Sequence, residues 1–171
     1  MINNYFINFD KLINFSVQDL LNEIDTAPKK VISEIKLIDL IFEKQSMTGV
    51  YVIFNKSDQA VYVGKTGSRA ILERLAAHFD LRPNAFMNSF ICALAGKRKR
   101  REGPHATAEE LQDIYENALT HKLLFIQIPN SVEHKSKIGK IESILRRKLN
   151  TSLNSNRGQD KVSNDTLIQD L

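Results

Sequence analysis

One cysteine, no tryptophan and only four prolines set the first limits on this 171-residue chain. Cys92 stands alone, so no disulfide closes within the chain and no cysteine-based zinc cluster forms. No apolar run approaches the roughly 18 to 20 residues that span a bilayer, so no membrane partner is expected. The opening Met1-Ile2-Asn3-Asn4-Tyr5-Phe6 lacks the basic start and long apolar stretch of a secretory leader. A cytoplasmic location is expected on both counts. Internal repeats and low-complexity stretches are missing as well. What remains is an ordinary balance, 42% hydrophobic and 26% charged, enough for one folded domain with a core and an added helical layer.

A net charge of +4 is mild, and its distribution says more than its size. Lys97, Arg98, Lys99, Arg100 and Arg101 are consecutive, and Arg146, Arg147 and Lys148 form a second cluster. Such runs suit a polyanion, because each phosphate contact releases a condensed counterion. A solvated basic loop has the same composition, so charge alone leaves both readings open.

Residues 1–46 read as a helical extension. Ser16 caps one helix with Asp19 three residues on. Thr26 to Pro28 opens a second, along which Val31, Ile35, Ile38, Ile41 and Phe42 recur at near-helical spacing. At Gly49 the period changes. Val50 to Phe54 and Ala60 to Gly64 are β-rich runs around the turn-forming Asn55-Lys56-Ser57-Asp58-Gln59, a hairpin. A four-residue loop sets Phe54 opposite Gln59 and Tyr51 opposite Tyr62, with Val50, Val52, Phe54, Val61 and Val63 on the other face. A helix over 68–79 carries Arg74 and His78 four apart on one face. A buried helix is expected over 85–95, and Thr107 with Glu110 caps another running to about Thr120. Leu123 to Ile128 reads as a third strand. Residues 135–149 read as a helix with Ile138, Ile141, Ile144, Leu145 and Leu149 as its stripe. The polar tail, 157–171, is expected to fray.

Gly49-Val50-Tyr51 and Tyr62-Val63-Gly64 resemble the two halves of the signature of the GIY-YIG nuclease superfamily. Lys65 follows directly, Arg74 lies ten residues past Gly64, His78 one helical turn on, Glu142 on a later helix and Asn154 twelve residues beyond. The order of hairpin, Arg helix, strand and Glu helix extends the resemblance over residues 47–156. The middle residue of both triplets is Val where the family has Ile, and Thr151 stands near the late Asn where the family often has Pro. The implied fold is α+β: a small three-stranded antiparallel sheet flanked by helices, here with the N-terminal helical extension and a helical, basic insertion over 84–121.

The resemblance implies a metal-dependent DNA endonuclease. Glu142 would hold Mg²⁺, with Mn²⁺ as the alternative, in a one-metal site completed by water and substrate phosphate. Arg74 offers a planar fork to the phosphate. Tyr51 is the general-base candidate, and Lys65 is placed in sequence to lower its pKa or to pass the proton through a metal-bound water. Tyr62 orients the water or a phosphate oxygen, His78 shares the acid-base work, and Asn154 supports the Glu or the substrate. Lys97, Arg98, Lys99, Arg100, Arg101, Arg146 and Arg147 are the expected DNA contacts. A stand-alone domain with helical additions most resembles a type II restriction enzyme that cuts double-stranded DNA as a homodimer or tetramer, with 84–121 reading the bases. The alternatives are a degradative phage-type nuclease and a non-catalytic nucleic-acid-binding module. Each residue also has a plain role: strand packing for the tyrosines, a solvated helix face for Arg74 and His78, an i,i+4 ion pair for Glu142 and Arg146.

Overall fold

The computed structural model describes residues 5–40, 47–82, 85, 87–97, 106–154 and 161–171. The elements are β1 (Phe6–Asn8), α1 (Phe9–Leu12), α2 (Val17–Thr26), β2 (Lys30–Val31), β3 (Gly49–Phe54), β4 (Ala60–Thr66), α3 (Ile71–His78), α4 (Ser89–Leu94), α5 (Ala108–Leu119), β5 (Lys122–Gln127) and α6 (Lys135–Lys148). Short 3₁₀ turns occupy Ile32–Glu34, Leu37–Leu40 and Ile168–Asp170.

The class is α+β, but the sheet is a mixed five-stranded one in the order β1-β5-β3-β4, with β2 also on β5. That corrects the expected three-stranded antiparallel sheet. The antiparallel core of β4, β3 and β5 is present, and the N-terminal segment adds the rest: β1 runs parallel to β5 and β2 antiparallel. The reason lies in β5. Leu123, Leu124, Phe125 and Ile126 are all fully buried. A strand covered on both faces, away from water, needs partners along both edges for its backbone groups. β3 supplies one edge, and β1 with β2 supplies the other.

Local signals hold where chemistry fixes them. Ser16 Oγ accepts the Asp19 N–H at 3.1 Å while Asp19 accepts the Ser16 N–H at 2.9 Å. Thr107 and Glu110 repeat the pattern at 3.1 and 2.8 Å. The helix expected from Thr26 fails. Its chain pairs as β2, and the Ile32 N–H is drawn to the His121 carbonyl at 2.8 Å. The buried residues there are Ile32 and Leu40, whereas Leu37 and Ile38 are each 70% exposed, so the apolar stripe is not one helical face. Ile41 and Phe42 lie outside the described residues.

The hairpin turns where expected, with Asn55 Oδ1 accepting the Ser57 and Gln59 N–H groups. Its register differs. Tyr51 lies opposite Gly64 and Ile53 opposite Tyr62, with a bulge before Phe54 pairs with Ala60. Val61 is the extra residue of that bulge, and it packs on the tyrosine face instead of the opposite one. The slip is an even number of residues, so both tyrosines keep one face. Two cores follow. Val50, Val52, Phe54 and Val63 pack with Ile138, Ile141, Ile144 and Leu145 of α6 and with α2. Tyr51, Ile53 and Tyr62 pack with Ile71, Leu75 and Phe90 of α3 and α4.

The tail does not fray over 161–171. Ile168 is fully buried in the α6-side core, and the Thr166 and Asn164 carbonyls accept the Val17 and Gln18 N–H groups of α2 at 2.9 and 2.8 Å.

Candidate active site

Tyr51 projects from β3 across the neighbouring strand. A Cβ added at Gly64 would stand 2.1 Å from Tyr51 Oη and 2.2 Å from Cζ. Gly64 is therefore the floor on which the phenol lies, and any side chain there would occupy the same space. The Tyr62 ring lies alongside, centroids 6.3 Å apart and 25° between planes.

α3 brings two groups onto the phenol oxygen. Arg74 Nε donates to Tyr51 Oη at 3.1 Å, and His78 Nε2 lies 2.6 Å from the same oxygen. The spacing of four places both on the face that meets β3. α4 and the residues leading into it close the ring of contacts: Arg74 also donates to the Met87 carbonyl at 3.1 Å and to Ser89 Oγ at 3.4 Å. Ser89 Oγ is 3.0 Å from Tyr62 Oη, and the Phe90 N–H donates to His78 Nδ1 at 3.2 Å. Met87, Ser89 and Phe90 carry no mark in the sequence, because their contribution comes from where α4 docks.

Tyr51 and His78 are both fully buried. Burial pushes the Tyr51 phenol well above its ordinary value. The neighbouring Tyr62 adds to this and Arg74 partly opposes it. Burial, with the Arg74 charge second, holds His78 well below the usual imidazole range, so it is neutral near pH 7.

Lys65 does not approach that oxygen as a bonding partner. It points to the α6 side of β4, where Lys65 Nζ lies 2.9 Å from Glu142 Oε2. Arg146 Nη2 meets Glu142 Oε1 at 2.6 Å, and Glu142 keeps only 10% of its side chain exposed. Tyr51, Tyr62, Arg74 and His78 thus form one cluster, and Lys65, Glu142 and Arg146 form another. Among the described residues no hydrogen bond or ion pair joins the two clusters directly. β4 runs between them, and the Glu142 charge is still felt at Tyr51.

Asn154 braces β4 itself: its Oδ1 accepts the Val63 N–H at 2.7 Å and its Nδ2 donates to the Val63 carbonyl at 2.9 Å. Thr151 Oγ1 donates to the same Oδ1 at 2.7 Å. Of the expected DNA contacts, Lys97 is paired with Glu110 at 3.2 Å, and Arg147 is part-exposed on α6. Arg98, Lys99, Arg100 and Arg101 lie outside the described residues.

The described residues contain no group of three or more His, Cys, Asp or Glu placed to share a metal ion. Glu142 is a single carboxylate with two cationic partners. An ionised carboxylate has about four lone-pair positions, so each oxygen keeps one for a further bond. That donor set fits a Mg²⁺ ion that takes one protein oxygen and fills its other positions with water and phosphate. Lys65 and Arg146 compete with such an ion for the carboxylate.

Comparison of the chain with family models, with curated proteins and with solved structures finds no match in any of the three.

Proposed function

We propose that this chain is a DNA endonuclease that hydrolyses phosphodiester bonds with a divalent metal, as the resemblance to GIY-YIG nucleases implies. The observation that carries the reading is the convergence on Tyr51 Oη of Arg74 and His78, brought from one helix face to a tyrosine laid over a glycine floor. Strand packing does not require a guanidinium and an imidazole on one buried phenol. Taking a phenol and an imidazole out of water is costly unless they are hydrogen-bonded, and buried groups with shifted pKa values beside a part-exposed cation cluster at functional sites.

Arg74 has five N–H groups, and three are engaged with Tyr51, Met87 and Ser89. The remaining two face a phosphate as a fork and stabilise the charge that develops at phosphorus. Tyr51 first loses its own proton to solvent and then, as a phenolate, accepts the proton of the attacking water; its donors favour that form and its burial opposes it. The water oxygen bonds to phosphorus, the bond to the leaving oxygen breaks, and that oxygen takes a proton from solvent. Glu142 would hold the metal, which supplies charge stabilisation at the phosphoryl and leaving oxygens. Lys65 and Arg146 keep the carboxylate oriented. The basic residues of α6 and the Lys97–Arg101 segment contact the DNA backbone. A restriction-type enzyme acting as a homodimer on duplex DNA is the form we favour, with a degradative nuclease next.

A second reading is a non-catalytic nucleic-acid-binding module. It is favoured by the closed state of both clusters: Tyr51 fully buried and both Glu142 oxygens paired with cations. Long duplex DNA of mixed sequence, with Mg²⁺ or with EDTA, decides between them. Discrete metal-dependent fragments from the wild type, lost in Glu142→Ala, are expected. A metal-dependent smear points to the degradative nuclease. Salt-sensitive binding without cleavage in both proteins sinks the nuclease reading.

A further inference from the structure

We infer that His78 is a fixed hydrogen-bond donor to Tyr51 and not its proton acceptor, and that the backbone at the start of α4 sets this direction. The functional part of the inference rests on the nuclease reading above; the direction of the hydrogen bond does not.

The two ring nitrogens decide the matter. A neutral imidazole carries one N–H and one bare nitrogen. Phe90 lies in the first turn of α4, where a backbone N–H has no intrahelical acceptor. That N–H is buried and points at His78 Nδ1 from 3.2 Å. An N–H can only donate, so Nδ1 must be the bare nitrogen. The ring proton is then on Nε2, the atom 2.6 Å from Tyr51 Oη. A proton on Nδ1 instead would set two N–H groups against each other in a dry site and leave both unsatisfied, a cost that a single Tyr51 O–H bond to Nε2 does not recover.

The surroundings oppose a second proton on the ring. Arg74 of the same helix brings positive charge. The rings of Tyr51, Tyr62 and Phe90, from β3, β4 and α4, pack edge-on at centroid distances of 5.7, 5.3 and 6.0 Å, and while Tyr51 is the neutral phenol none supplies an anion. His78 therefore stays neutral with one fixed N–H.

Tyr51 Oη then receives two N–H donors, His78 Nε2 and Arg74 Nε, one neutral and one charged. Among the described residues its own O–H finds no acceptor. Two donors and no acceptor favour the phenolate, the form that takes up a water proton, against the burial that raises the Tyr51 pKa. His78 acts through Tyr51 and is a positioning residue. The expectation that it shares the acid-base work is replaced by a constant, pH-independent contribution.

Nitrogen-15 NMR of the imidazole rings tests the direction in the wild type alone. The His78 ring is identified by its proximity to Phe90 and Tyr62. The expected result is a neutral ring with its proton on Nε2 from about pH 8 down to about pH 5.5. A proton on Nδ1, or a ring that charges near its usual value, overturns the inference. The role is tested by cleavage rate against pH. His78→Phe removes the donor, and turnover is expected to fall about 100-fold with KM little changed. His78→Gln keeps an N–H donor and is expected to recover part of that loss with the acid limb of the wild-type profile intact. Loss of that limb in His78→Gln would show His78 to be the proton acceptor. If the wild type cuts no DNA, the nuclease reading fails, while the NMR result still decides the direction of the hydrogen bond.

Discussion

At the scale of single residues, the informative pair is Tyr51 and Gly64. The sequence placed a glycine after the second β-run, which reads equally as a strand terminator. The structure gives it a reason: the phenol needs the space where a Cβ would be. Gly64→Ala is expected to lose about 1–3 kcal/mol by overpacking and to tilt the Tyr51 ring off Arg74 and His78. Urea denaturation measures the first, and loss of cleavage beyond the loss of folded protein measures the second. A variant as stable and active as the wild type would remove the floor from the argument. Gly49 is constrained differently, by a φ of 147° and by the Ile126 carbonyl, which a Cβ would meet at 1.9 Å. Both glycines are legible as letters, but their partners are not, because those come from register and from a strand 60 residues or more away in sequence.

His78 carries a second residue-scale consequence. It is neutral in the fold, and its pKa there is held down mainly by burial. Below about pH 6.5 the unfolded chain takes a proton that the folded chain refuses, so unfolding is favoured as pH falls. The contribution is complete above the unfolded pKa and is lost by about 1.4 kcal/mol per pH unit below it, until His78 titrates in the fold. Stability measured at pH 7 and at pH 5.5 is expected to fall by about 1 kcal/mol more in the wild type than in His78→Gln. Parallel losses in the two proteins would assign the acid sensitivity elsewhere.

At the scale of elements, the outer edge of β4 shows what holds the site together. β4 ends the sheet, so its outward backbone groups need partners. The segment after α6 supplies them: the Leu153 N–H donates to the Val61 carbonyl at 2.9 Å, and Asn154 takes both backbone groups of Val63. A side-chain amide, with one acceptor and two donors, can pair with a peptide unit as a strand would. Asn154→Ala strips those bonds from a buried place, and a cost of about 1–3 kcal/mol is expected. Faster hydrogen exchange at the Val63 amide would localise it, and an unchanged rate would reject the brace. This explains why the elements were legible to different degrees. The two capping boxes depend on residues three apart, and the hairpin turn depends on Asn55 and its neighbours; such local chemistry can be read directly. The bulge at Val61, the pairing of Lys30-Val31 with β5 and the bracing of β4 depend on distant partners, and there the apolar stripe from Val31 to Ile38 pointed to a helix that the sheet edge replaced.

At the scale of the whole molecule, the two ends of the described chain close over the α6 side of the sheet. β1 leads into α1, whose Phe9 and Leu12 join the α6-side core, and the C-terminal residues return to α2. Composition hid this. Residues 161–171 are mostly polar, and the packing depends on Ile168, with Val162 and Leu171 packed beside it. The backbone of the tail is satisfied by the other end of the chain: the Ile168 N–H donates to the Phe15 carbonyl at 2.8 Å, and Lys137 Nζ reaches the carbonyls of Ile168 and Gln169. The Tyr51 cluster lies on the opposite face of the sheet. A change at Ile168 is therefore expected to act on stability and to leave the Tyr51 cluster in place, although α6, which carries Glu142, shares its core. Ile168→Ala is expected to cost about 2–4 kcal/mol, since a buried isoleucine is replaced by a cavity bounded by α2 and α6. Cleavage by the remaining folded protein, measured well below its unfolding midpoint, is expected to match the wild type. If stability were unchanged, the tail would not be part of the core. If activity fell while the protein stayed folded, the disturbance would have reached Glu142 along α6 or crossed to the Tyr51 cluster through β3 and β4, the strands whose alternating side chains serve both faces.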